Sequence, residues 1–142
     1  MNVLDVNVLL ALYRGDHIHH ESARQWWADS QSRGEPFTVP DIVWVGFVRI
    51  ATNRRILPVP ASLDQAWDFI QKVQMQPTYL AFSADSRTLG RFADLADDAG
   101  ATADLVTDAY IAATASTFGG TVVTFDRDFR RFDGVRVTEL TG

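Results

Sequence analysis

The 142-residue chain contains no cysteine. Disulfides, thiolate metal sites and cysteine nucleophiles are therefore excluded. Lysine is nearly absent as well: of 13 basic residues only Lys72 is lysine, and the rest are arginine. Arginine suits bidentate phosphate contacts and base stacking; GC-rich codon bias produces the same excess. No apolar stretch reaches the length of a membrane span. The opening Met1-Asn-Val-Leu-Asp5 lacks the basic start of a signal peptide, so a cytoplasmic protein with no membrane attachment is expected. Positive charge is in deficit, with a net charge of −5 and a pI of about 5.0. A general nucleic-acid coating protein is normally basic, and that class is disfavoured. An enzyme acting on nucleic acid is not. The length fits one domain, residues 1–142, with a sizeable core.

Strand and helix patterns alternate along the chain. Val3-Leu4 reads as a short buried strand with Asp5 at its end. Asn7 to Tyr13 and His19 to Asp29 read as helices, and Phe37 to Val39 as a second strand. Pro40 opens a helix over 42–51 that is apolar almost all round, through Ile42, Val43, Trp44, Val45, Phe47, Val48 and Ile50. Such a helix is buried on most sides, or buried on one and used as an interface on another. Ser62-Leu-Asp-Gln65 carries a capping-box pattern and opens the next helix. Tyr79 to Phe82 is a third strand candidate. Ser86 to Ala99 is helical and closed by Gly100, and a further helix runs to Ser116. Thr121 to Phe125 is the clearest strand, and Val135 to Val137 the last. The alternation predicts an α/β fold with a central, mostly parallel sheet covered by helices on both faces.

Aspartates stand where these elements meet. Asp5, Asp108 and Asp126 fall at strand ends or helix starts, which gather at one edge of an α/β sheet. Converging carboxylates repel each other unless a cation or proton intervenes, and hard oxygen ligands suit Mg²⁺ or Mn²⁺. Asp5 is either a metal ligand or the cap of the following helix. Asn7 either holds Asp5 by a hydrogen bond or caps the same helix. Asp104 and Asp108 are four apart, hence on one helix face; Asp108 is assigned to chemistry, at a first helical turn, and Asp104 to the cap. Asp126 ends a strand, where it makes an Asx-turn or joins a metal site, with Asp128 and three arginines, Arg127, Arg130 and Arg131, close by. His17, His19 and His20 read as a solvated helix start rather than a zinc site. Trp26 and Trp27 read as core or interface rather than base-stacking platforms.

Together these residues resemble the PIN-domain ribonucleases, and most closely the VapC-type toxins of bacterial toxin–antitoxin pairs. Leu4-Asp5-Val6-Asn7-Val8-Leu9-Leu10 is similar to the family's opening strand and first acid. Thr107-Asp108-Ala109-Tyr-Ile-Ala-Ala113 is similar to its later acid-plus-helix motif, and Val123-Thr-Phe-Asp126-Arg-Asp-Phe129 to its final acidic motif. Arg49-Ile-Ala-Thr-Asn53 looks like the end of its third helix. The resemblance implies a three-layer α/β/α domain and Mg²⁺- or Mn²⁺-dependent cleavage of RNA. It also implies a cognate antitoxin and a homodimer. Asp5 and Asp108 would hold the metal, Asp126 would orient the attacking water or a second ion, and Asn7, Asp104 and Asp128 would support them. One departure stands out: the family's helix glutamate aligns with Gly46, leaving Asp41, Asp104 or a water to fill the gap. Two other readings follow. One is a catalytically weakened relative that mainly binds RNA or antitoxin. The other is a phosphohydrolase with Asp5 as nucleophile, disfavoured because Asn7 stands where the second acid is needed.

Overall fold

Four short strands pair in parallel in the computed structural model, which describes residues 1–142: β1 (Asn2–Leu4), β2 (Phe37–Thr38), β3 (Thr121–Thr124) and β4 (Arg136–Glu139). Their order is β2-β1-β3-β4. Six helices flank the sheet in a three-layer α/β/α arrangement: α1 (Val6–Tyr13), α2 (His20–Ser32), α3 (Asp41–Ala51), α4 (Leu63–Gln74), α5 (Ser86–Ala99) and α6 (Asp104–Thr117). The middles of the two central strands are apolar without alternation: Val3, Leu4, Val122 and Val123 are all fully buried. A parallel strand covered on both faces requires this pattern. Helix α1 packs on α2, α3 and β3, while α6 packs on α5, β1 and β3. Small residues let α6 approach closely: Ala109, Ala112, Ala113 and Ala115 are fully buried.

The strand order reverses between β1 and β3. Chain leaving β1 returns to β2 on one side, and β3 lies on the other. In open parallel sheets the carboxyl ends of strands at such a reversal form the usual ligand crevice. Asp5 and Asp126 lie just beyond those two carboxyl ends.

Two sequence expectations fail locally. Tyr79–Phe82 is not a strand; Tyr79 makes one isolated parallel bridge to Phe37. The ladder stops because the Thr38 hydroxyl, not a backbone amide, takes the Leu80 carbonyl, at 2.5 Å. Asp104 is not the cap of α6. Ala103 holds that position with φ of 53° and no side-chain cap, and Asp104 is the first helical residue. The turn begins earlier than expected, with Leu105 and Val106 amides donating to the Thr102 and Ala103 carbonyls. Asp108 therefore lies in the second turn of α6, not the first.

Candidate metal centre

Asp5 caps α1 and acts on the acidic site through its charge, but it is not one of the three carboxylates that group together there. Its Oδ1 accepts from the Val6 amide at 2.7 Å, capping α1, and its Oδ2 accepts from Thr124 Oγ1 at 2.8 Å. The carboxylate is almost fully buried, at 3% exposure. Thr124 is a junction. Its hydroxyl also accepts from Asn7 Nδ2 at 3.2 Å and from the Asp126 amide at 2.9 Å. Asn7 Oδ1 in turn accepts from the Phe125 amide at 3.2 Å. Asn7 thus shares the Thr124 hydroxyl with Asp5 while it pins the end of β3. Asp126 makes the Asx-turn its position suggests: Oδ1 accepts from the Asp128 amide at 2.8 Å and caps the 3₁₀ turn Arg127–Arg131.

That turn folds Asp128 back toward α6. Asp108, Asp126 and Asp128 each offer a carboxylate oxygen, and these oxygens lie within 4.8 Å of one another. Burial pushes the Asp108 carboxyl up to about 7, and the nearby charges of Asp5, Asp126, Asp128 and Asp104 push it in the same direction. Burial also raises Asp5, aided by the charge of Asp126 and opposed by the hydrogen bonds from Thr124 and Val6. Every charge raising Asp108 is a carboxylate. Such a group binds a proton or a cation. The donor set is all hard oxygen, which fits Mg²⁺ or Mn²⁺ and not a soft or imidazole-seeking ion.

Other sequence candidates fall elsewhere. Asp41 lines a separate cavity of about 470 Å³ with Phe82, Ser83 and Tyr110, and its charge does not figure among those acting on Asp5 or Asp108. Asp104 reaches the site only through its charge. No histidine joins the acids. His17 Nδ1 accepts from the His19 amide, His20 Nδ1 lies 2.7 Å from the Ala11 carbonyl, and His19 stacks on Phe125. Trp27 sits edge-on to the core residue Phe37. A side chain at Gly46 would point at α1, since a Cβ there meets only Val6 Cγ2, at 3.6 Å. Sequence reasoning missed Thr124. Its signal was a polar residue at a buried strand position immediately before the acidic motif.

The PIN domain family profile matches residues 3–135. The chain belongs to the PIN domain family. Among curated relatives of this PIN domain, Ribonuclease VapC31 of Mycobacterium tuberculosis (strain CDC 1551 / Oshkosh) is 44% identical over 136 residues, covering 96% of each chain. Ribonuclease VapC25 of Mycobacterium tuberculosis (strain ATCC 25618 / H37Rv) is 43% identical over the same share of both. The fold is also that of solved structures of low identity. VapC20 of Mycobacterium tuberculosis, described as a sarcin-ricin loop cleaving toxin, superposes with a TM-score of 0.69 at 18% identity, over 96% of this chain and 99% of that one. VapBC2 from Rickettsia felis, solved bound to a promoter DNA fragment, gives a TM-score of 0.70 at 13% identity, over 99% and 98%.

Proposed function

We propose that this PIN domain is a metal-dependent endoribonuclease and the toxin of a toxin–antitoxin pair, acting in the cytoplasm. The observation that carries the reading is the cluster of Asp108, Asp126 and Asp128 within 4.8 Å, with Asp108 pushed up to about 7. The ribonuclease names of its relatives at 43–44% identity point the same way. Solved fold neighbours described as VapBC complexes support an antitoxin partner.

Asp5 and Asp108 would hold Mg²⁺ or Mn²⁺, with further oxygens from Asp126 and Asp128. Such a cation, when bound, makes water a stronger acid and stabilises negative charge on a phosphate. The chain's own groups supply the rest. Thr124 and the Val6 amide hold both Asp5 oxygens in fixed directions while leaving each a second lone pair. Asp126 uses Oδ1 for its turn, so Oδ2 is free to accept a proton from the water that attacks phosphorus. The new P–O bond forms as the ester P–O bond breaks; the leaving ribose oxygen takes a proton from solvent water, and Asp126 returns its own to solvent. Residue 46 is not needed to assemble the three-acid cluster, which favours an active nuclease over the weakened relative. The test is cleavage of RNA by the purified chain, titrated with Mn²⁺ and reversed by a chelator. Cleavage that persists in excess chelator, or in Asp108→Asn, would refute the reading.

A further inference from the structure

We propose that Arg127 is the phosphate contact that seats RNA beside the acidic centre; this rests on the nuclease reading above. A polyanion must approach a site whose acting charges are all carboxylates, so a cation at the rim has to meet a backbone phosphate. Three arginines lie on the turn that carries Asp126 and Asp128, and the structure separates them. Arg130 is bound to Glu139 through two nitrogens, at 2.7 and 2.8 Å. Arg131 donates to the Ala99 carbonyl at 3.2 Å. Arg127 has only a loose 3.9 Å approach to Glu139, and its side chain is 83% exposed. Both Glu139 oxygens already serve Arg130, so the guanidinium of Arg127 keeps its charge and its donors for a ligand.

Position selects it among the other arginines. Arg14, Arg24, Arg33 and Arg87 are each paired with an acid of their own. Arg91 and Arg136 donate to Ser116 and to the Gly119 carbonyl. Arg49, Arg54 and Arg55 lie in the last turn of α3 and just beyond it, at the end of that helix away from its start after β2. Arg127 alone is flanked in sequence by two members of the cluster. Its planar fork matches two phosphate oxygens.

The arrangement also makes Arg130 a positioning residue. Without Arg130, Glu139 is free to capture Arg127. The experiment measures binding of a fluorescently labelled, randomised single-stranded RNA pool in Ca²⁺, across a salt series, with gels to check that the RNA stays intact. A random pool is suitable because phosphate contacts carry no sequence information. Arg127→Ala is expected to weaken binding several-fold and to flatten the salt dependence by about 0.7 in log–log slope, one phosphate's worth on a single strand. Arg127→Lys is expected to keep the slope and recover part of the affinity. Arg130→Ala is expected to weaken binding too, and Arg130→Ala with Glu139→Gln to restore it. Wild-type binding with an unchanged affinity and slope in Arg127→Ala overturns the Arg127 assignment alone. A Glu139→Gln change that fails to rescue Arg130→Ala overturns it as well. Absence of any wild-type RNA binding overturns it together with the nuclease reading.

Discussion

Thr124 Oγ1 donates to Asp5 Oδ2 at 2.8 Å, joining the carboxyl ends of the two central strands through a fully buried hydroxyl. The bond orients Asp5 and favours its charged form. Thr124→Val keeps the shape but leaves Asp5, Asn7 and the Asp126 amide without their shared partner. An expected loss of about 1–3 kcal/mol follows from stranding buried polar groups. Mn²⁺ affinity is expected to fall as well, because Asp5 is then harder to ionise. Thr124→Ser retains the hydroxyl and is expected to recover both. Urea unfolding and calorimetry check this; equal metal affinity in Thr124→Val and wild type would remove Thr124 from the site.

Asp5→Asn, Asp108→Asn and Asp126→Asn are each expected to abolish most RNA cleavage while the fold persists. Asp128→Asn is expected to reduce it, since the structure groups Asp128 with Asp108 and Asp126. Circular dichroism and a cleavage assay in Mn²⁺ decide each residue separately. A variant that cuts at the wild-type rate has no part in the chemistry.

The metal-free protein is expected to lose stability as pH rises. Asp108 goes from an ordinary value of 3.8 to about 7 on folding, so between those values the folded state holds more protons than the unfolded state. Stability is then greatest below about 4 and declines through about 7 as the proton leaves. The full gap corresponds to about 4 kcal/mol. Asp108 is only partly buried, and solvent screening reduces this to about 2 kcal/mol. The raised Asp5 acts in the same direction. Thermal unfolding between pH 5 and 8 is expected to show Tm falling without metal, and less so with Mn²⁺, which replaces the proton. An unchanged pH profile in Asp108→Asn would refute the assignment.

Gly46→Glu is expected to bind Mn²⁺ severalfold more tightly than wild type, and Asp41→Asn to bind it equally. The Cβ at residue 46 meets only Val6 Cγ2, an ordinary 3.6 Å contact beside the residue that Asp5 caps. Replacing a helical glycine also gains about 0.5–1 kcal/mol of stability. Weaker binding in Asp41→Asn, with no gain from Gly46→Glu, would show that another acid has rebuilt the position.

Helix α3 is expected to mediate association. Val43, Trp44 and Phe47 enter the core, while Val45 and the α4 residue Trp67 remain 66% and 47% exposed around an apolar groove of about 330 Å³. Val45→Asp is expected to weaken self-association or antitoxin capture, read by light scattering at high micromolar concentration and by co-purification. Unaltered behaviour in both would leave the face without that role.

The periodicity and apolar runs determined the element order and the parallel sheet, because buried parallel strands and amphipathic helices carry their own local patterns. They also placed Asp5 and Asp126 just beyond strand ends, where the buried apolar run stops, whereas Asp108 falls one turn inside α6. Tertiary structure decided what local pattern does not encode. The Thr38 hydroxyl ended pairing at Leu80, a contact between residues 42 apart. Thr124 reached Asp5 across 119 residues of chain, so its role is invisible from its neighbours. Asp128 joined the cluster, and Asp41 did not, because turns and helix directions set where a carboxylate points. The equal-looking arginines at 127, 130 and 131 were separated by one acid, Glu139, arriving from the neighbouring strand. Sequence determines which charges exist and which elements bear them; only packing determines which charges find partners, because a partner is a distance in space.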